Sequence, residues 1–224
     1  MEKNANNILD IHTHKSIEAS RGRSIINYRL SADVLAGDKD GLYEGYFYSA
    51  GIHPWELTEE NAMQQFDLLR QQIVKKQFVA VGEAGLDKLT VASMELQIAM
   101  FKKQVELSEA LGMPLVIHCV KAMEELLAVK KECRPGQPWI WHGFRGKPQQ
   151  AEQLLQSGFY LSFGAYYPED TMKIVPAERL FLETDDSPVD IEELLHRAAG
   201  VRGVEVEALR GTIRKNIQNV FFSA

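Results

Sequence analysis

The sequence predicts a closed (β/α)8 barrel, a TIM barrel, and three observations carry that reading. Short apolar runs alternate with helical patterns, the runs number eight, and metal-capable side chains stand at the C-terminal ends of several of them. Strands alternating with helices imply parallel pairing through right-handed crossovers. The C-terminal rim is where a barrel enzyme assembles its site. The chain has 224 residues, below the ~250 typical of the fold, so the barrel is expected to be compact and somewhat truncated. A doubly wound open sheet is the competing architecture.

The eight runs are Ile8–Thr13, Ser24–Arg29, Tyr46–Ile52, Phe78–Glu83, Leu115–Cys119, Trp139–His142, Tyr160–Phe163 and Leu180–Thr184. About ten residues separate the first two, so a full helix there is expected to be absent or reduced to a loop. In Thr58–Lys76, Met63, Phe66, Leu69 and Ile73 recur at helical spacing, with Thr58 as N-cap. Ser93–Leu111 places Leu96, Met100, Val105 and Leu111 at roughly that spacing and ends at Gly112, a C′ residue. Pro114 then opens the next strand. Ala122–Lys131, Pro148–Gln156, Pro168–Ile174, Ile191–Ala199 and about Val204–Val220 continue the helices.

Composition narrows the class. The formal net charge is −6, with 45% hydrophobic and 25% charged residues, which is globular and not disordered. One domain over residues 1–224 is the expectation. No run approaches the ~18 apolar residues of a membrane helix, so no membrane association is expected. The first seven residues lack the apolar core of a signal peptide. Cys119 and Cys133 are the only cysteines, too few for a disulfide scaffold, and a cytoplasmic setting is expected. The negative charge disfavours nucleic-acid binding through net charge alone but leaves room for a local basic groove. There is no Gly-x-Gly-x-x-Gly, no Walker loop and no Gly-x-Ser-x-Gly elbow.

The polar residues at the strand ends suggest metal chemistry. In His12-Thr13-His14 the two histidines lie two apart on a strand, so both imidazoles face one point. Asp10 shares that alternation. Glu83, His118, His142 and Asp185 end later runs, and Glu183 shares Asp185's face. Taken singly, each histidine also reads as a buried core group, and each carboxylate as half of a salt bridge. Together, four of the six histidines and two carboxylates at strand ends form a metal-ligand set. His53 ends the third run and is expected at the same rim, whereas His196 falls in a helical pattern.

The chain resembles the TatD family of metal-dependent hydrolases, within the amidohydrolase-like barrels. The likeness rests on Asp10-Ile-His-Thr-His14, Gly51-Ile-His-Pro54, Gly82-Glu-Ala-Gly-Leu-Asp87, Gln97 to Leu111 with Pro114-Leu-Val-Ile-His118, His142-Gly-Phe-Arg-Gly146 and Leu182-Glu-Thr-Asp185, in family order. It implies one or two divalent metal ions (zinc, magnesium or manganese). It assigns His12, His14 and Asp185 to one ion, His118 and His142 to the other, and Glu83 as the bridge. It implies hydrolysis by a metal-activated water, with Asp185 as ligand and base. Deoxyribonuclease action on DNA follows as the first substrate reading, with His53, Arg145 and Lys147 as substrate contacts. Arg145 and Lys147 read equally as a solvated basic loop. A small ester, lactone, amide or phosphoester is the alternative substrate. A non-catalytic metal-binding scaffold is a third reading, disfavoured because all six ligands are present.

Four departures from the family pattern bear on the substrate. Lys15-Ser16 follows His14 where an apolar residue and a carboxylate are usual. Val120 stands where an arginine is expected, with Lys121 as a possible substitute. Asp185-Asp186-Ser-Pro188 is one residue longer than the usual Asp-Ser-Pro, and the following rim loop is shortened. Trp55, Phe144, Tyr166 and Tyr167 read either as base-stacking groups or as ordinary packing. Lys15, Arg21 and Arg23 form the best basic cluster.

Overall fold

The computed structural model describes residues 7–20, 22–30 and 42–223. Arg21 of the first-loop cluster lies outside them. Eight strands follow one another in sequence order around a closed barrel: β1 (Asp10–Thr13), β2 (Ser24–Asn27), β3 (Phe47–Ala50), β4 (Phe78–Asp87), β5 (Leu115–Val120), β6 (Trp139–Trp141), β7 (Phe159–Phe163) and β8 (Leu180–Leu182). The helices are α1 (Ile17–Ser20), α2 (Ala62–Gln72), α3 (Met94–Leu111), α4 (Met123–Cys133), α5 (Pro148–Gln156), α6 (Glu169–Ile174), α7 (Ile191–Arg202) and α8 (Val206–Phe221). The (β/α)8 architecture is therefore the one the alternation predicts. The missing first helix is a single turn, α1. No helix among the described residues is long and apolar enough to cross a membrane.

Two compact units make up the chain. The first comprises Met1–Ile26 and Trp139–Ala224. In it β2 pairs with β1, β1 with β8, β8 with β7 and β7 with β6, all parallel. Its core is aromatic: Trp139 and Phe159 meet edge to face at 5.7 Å, and Phe181 packs against Phe221 of α8. Asn216 of α8 donates to the carbonyls of Ala177 and Leu180, anchoring that helix where β8 begins.

The second unit is Asn27–Pro138. β3, β4 and β5 pair in parallel, and α3 supplies two buried glutamines that act on the strand ends. The Gln104 side chain accepts the Ile52 N–H at 2.7 Å. The Gln97 side chain accepts the Asp87 N–H at 2.7 Å and donates to the Asp87 carbonyl at 3.0 Å. A buried amide satisfying backbone groups in this way fixes where a strand stops. Gly112 ends α3 as expected, with a left-handed φ of 64°, and Ser93 stands outside the helix as its N-cap, accepting the Leu96 N–H.

Two expectations need correction. β4 does not stop at Glu83 but continues to Asp87, so Glu83 lies within the strand. Thr58 does not cap α2. Thr58 and Asn61 instead close a reciprocal turn, with N–H to side-chain oxygen distances of 2.9 and 3.2 Å, and α2 begins after it at Ala62. The extension of β4 depends on close backbone approach. A Cβ on Gly85 would overlap the carbonyl of His118 on β5. Gly85→Ala is therefore expected to cost about 3 kcal/mol or more through overpacking. At roughly 2–4 °C per kcal/mol for a chain of this size, the melting temperature should fall by about 6–12 °C in a circular-dichroism melt. An unchanged melt would show that the β4–β5 contact yields.

Candidate metal centre

In the first unit, β1 and the turn after β8 bring His12, His14 and Asp185 together, with one donor atom from each within 4.8 Å of the others. His12 is fully buried. Its Nε2 lies 3.8 Å from Asp185 Oδ1, and His14 Nε2 lies 3.5 Å from the same oxygen. Those separations exceed a good hydrogen bond. They approach the edge of a ligand tetrahedron, about 3.3 Å for donors at ~2.0–2.1 Å from zinc. The donor set therefore fits a divalent ion. Asp185 reaches this place with a left-handed φ of 50°, its N–H held by the His12 carbonyl at 2.9 Å. Such a conformation is uncommon outside glycine, though aspartate adopts it more readily than most residues. Asp185, not Asp186, is the carboxylate brought to the two histidines.

His142 joins Glu183 and Asp185 in a second cluster of the same unit. Its Nδ1 lies 3.2 Å from Glu183 Oε1, and its ring stands 4.4 Å from that of His12. Burial pushes the Glu183 carboxyl up, but the charges of His142 and His12 and the His142 hydrogen bond outweigh it, holding it below its ordinary value. A buried carboxylate on one imidazole nitrogen orients the other nitrogen, the arrangement common around metal ligands.

The second unit repeats this logic. His53, Glu83 and His118 form its cluster. Glu83 Oε1 lies 3.2 Å from His53 Nε2 and 3.1 Å from His118 Nδ1, and its Oε2 accepts from Asn27 at 3.3 Å. His53 Nδ1 accepts the Trp55 N–H at 3.1 Å. A neutral His53 therefore carries its proton on Nε2 and presents a donor to Glu83. Asp87 Oδ2 lies 3.1 Å from His118 Nε2 and also accepts the Trp55 indole N–H at 2.6 Å. Burial raises the Asp87 carboxyl, but hydrogen bonds from Leu89, Trp55 and His118 bring it below its ordinary value.

The remaining sequence candidates divide. Arg145 lies 5.5 Å over the Tyr166 ring, and both line a cavity of about 260 Å³ with Asp185, Asp186 and Ser187. Lys147 is not among the residues that line it; it is the N-cap residue of α5. Phe144 is buried against Trp141 and Phe163, so it packs the core. His196 is exposed on α7. Asp87 and Asn27 were not anticipated. Asp87 had a signal: residues 83, 85 and 87 share one face once the strand continues.

A family model described as TatD related DNase matches residues 27–222. The 3'-5' ssDNA/RNA exonuclease TatD of Erwinia billingiae (strain Eb661) is 29% identical over 205 residues, covering 79% of this chain and 78% of the relative. An uncharacterized metal-dependent hydrolase, YabD of Bacillus subtilis (strain 168), is 29% identical over 154 residues, covering 64% of this chain and 59% of its own. Among solved structures, the TatD homolog YjjV of Escherichia coli K12 superposes with a TM-score of 0.77 at 21% identity, covering 97% of this chain and 98% of that one. The fold and the family match are those of a metal-dependent hydrolase barrel, and the donor clusters could hold a metal ion. The chain belongs to the TatD related DNase family.

Asp10, beneath the histidines, accepts from Thr184 N–H and Oγ1 at 3.0 and 2.7 Å, from Ser24 Oγ at 3.1 Å and from His12 N–H at 3.3 Å. Burial nevertheless pushes its carboxyl from 3.8 up to about 6, against the Thr184 hydrogen bonds and with the Glu183 charge adding to the rise. The folded state therefore favours the protonated form. That stability is complete below the unfolded pKa and lost as pH rises through about 6. The full swing is about 3 kcal/mol at 1.36 kcal/mol per decade, roughly half of it gone by pH 5. In urea unfolding of metal-stripped protein, wild type should lose about 1.5 kcal/mol relative to Asp10→Asn between pH 5 and pH 8. A gap that stays constant with pH would contradict it.

Proposed function

We propose that this hydrolase cleaves phosphodiester bonds in DNA. The observation that supports it most is the pair of imidazoles and the carboxylate oxygen of His12, His14 and Asp185, drawn within 4.8 Å on the C-terminal side of β1 and β8. His12, His14, Glu83, His118, His142 and Asp185 are the proposed ligands of one or two divalent ions. Glu83 is proposed as the bridge. When bound, such an ion supplies Lewis acidity and lowers the pKa of water.

The chain's own residues do the rest. Asp185 takes the proton of the attacking water; its side chain is only partly buried and so open to substrate. Asp87 on His118 and Glu183 on His142 hold the two rings in register. The Arg145 guanidinium is a donor for phosphoryl oxygens, and so is His53 Nε2–H once Glu83, which it faces at 3.2 Å, is engaged by an ion; the Trp55 N–H on the other nitrogen orients that ring. We propose that residues 1–224 work as one catalytic domain. Zinc, magnesium and manganese all suit a mixed imidazole and carboxylate set.

One observation favours a second reading. The cavity beside Asp185 is about 260 Å³, near the lower end of small-ligand sites at ~300–1,000 Å³. A cavity of that size suits a small phosphoester or ester.

A labelled single-stranded oligonucleotide with each metal in turn separates the readings. Cleavage is expected, abolished by a chelator and lowered at least about 100-fold by Asp185→Asn, the usual worth of a positioned base. No cleavage with any metal, alongside turnover of small esters or phosphoesters, would replace the first reading by the second.

A further inference from the structure

Trp55 is the one tryptophan whose side chain lies largely in solvent, at 66% exposure. Tryptophan is on average among the well-buried residues. Trp55 is not a loose surface side chain either. Its indole N–H donates to Asp87 Oδ2 at 2.6 Å, and Asp87 is 1% exposed. Its backbone N–H donates to His53 Nδ1 at 3.1 Å. Pro54, buried, opens the short 3-10 turn Pro54–Glu56 that carries it, with φ preset by the ring. The indole meets the His53 ring at 4.9 Å and 79°, and the His118 ring at 5.9 Å and 77°.

The polar edge of the indole is therefore satisfied internally, which leaves the aromatic carbons of a largely exposed ring for any further contact. Holding that surface costs nothing further when a ligand arrives, because three contacts already fix its orientation. The same carboxylate oxygen that faces His118 Nε2 holds the indole, so the platform is built into the candidate metal cluster. Asp87 Oδ1 also accepts the Leu89 N–H at 2.7 Å, fixing the connection that carries exposed Leu89 and Val91. No guanidinium or ammonium covers the ring among the described cation–ring contacts.

We infer that Trp55 is a stacking platform for a nucleobase of the strand whose phosphodiester engages the His53, Glu83 and His118 cluster. The inference rests on the phosphodiesterase reading and deepens it. A planar base is the occupant the chemistry selects: every base offers a π face, and stacking on an aromatic side chain is tolerant of sequence. Base and phosphate of one nucleotide then bind together, the base on Trp55 and the phosphate at His53.

The test uses the full chain and two probes with the same phosphates: a short deoxythymidine oligonucleotide and its tetrahydrofuran abasic counterpart. Affinity is read by anisotropy in chelator, and kcat/KM with metal present. Wild type should prefer the base-bearing probe by about tenfold or more, the range expected of base–aromatic stacking. Trp55→Ala should collapse that preference towards unity, and Trp55→Phe should keep most of it. A loss that is equal on both probes, with the preference intact, means Trp55 only supports Asp87 and His118 and overturns the inference. So does a Trp55→Ala variant with wild-type preference. If wild type cleaves neither probe with any metal, the phosphodiesterase reading fails as well, a result distinct from cleavage that ignores Trp55.

Discussion

The Asp10 carboxylate is the fixed point of the first unit. Its two oxygens gather donors from β1, from β2 and from Thr184, two residues past β8. A buried carboxylate is expensive, and here four donors offset much of that cost. The donors hold Thr184, so the chain leaves β8 at a set angle and Asp185 arrives at His12 and His14. Asp185 then donates its own N–H to the His12 carbonyl, closing the link. A metal site needs ligand atoms placed to a few tenths of an ångström. That placement derives from hydrogen bonds one layer below the histidines.

The second unit solves the same problem with amides in place of a carboxylate. Gln104 fixes the chain just before His53, and Gln97 clamps both backbone groups of Asp87. Asp87 can then serve His118, Trp55 and Leu89 at once. Both glutamines sit on α3, whose N-terminus is fixed by Ser93 and whose end is fixed by Gly112. The helix therefore does more than cover the strands. It transmits its own register to the strand ends, where the chemistry-bearing groups stand.

Much of this was legible from the pattern of residues. Every apolar run became a strand because a run of four to eight residues between helical patterns has one buried solution in a parallel sheet. His12 and His14 converge as the period of two suggests, although β1 ends at Thr13 and His14 is the first residue past it. The failures are equally physical. Glu83 reads as a strand end because a carboxylate normally closes a buried run. The structure instead carries the strand on through Gly85, where only the absence of a Cβ lets β4 approach the His118 carbonyl. With the strand ended at Glu83, the face that residues 83, 85 and 87 share does not exist, and Asp87 does not read as a site residue. Thr58 looked like a cap because its spacing to the helical pattern is right, but Asn61 captured its hydroxyl first. Lys147 follows Arg145 closely in sequence, yet Lys147 is the N-cap residue of α5 while Arg145 faces Tyr166 and the cavity. Proximity in sequence says little about direction at the turn into a helix.

The departures from the family pattern acquire a consequence at the rim. Val120, where an arginine is expected, is in the β5 ladder opposite Asp87 and contributes no charge. The chain as a whole carries −6, so long-range attraction to a phosphate backbone is weak or repulsive. A phosphodiester substrate must then be retained by short-range contacts, which salt screens little. Two kinds are present: hydrogen-bond donors oriented on their far side, as at His53, and aromatic faces held in place, as at Trp55 and at the Arg145–Tyr166 pair. Stacking and oriented hydrogen bonding act only on a strand whose bases and phosphates are exposed together. A paired duplex buries its base faces; a single strand does not. Contacts of the kind proposed for His53 and Trp55 would therefore favour a single strand over a duplex, through what they can grip and not through charge.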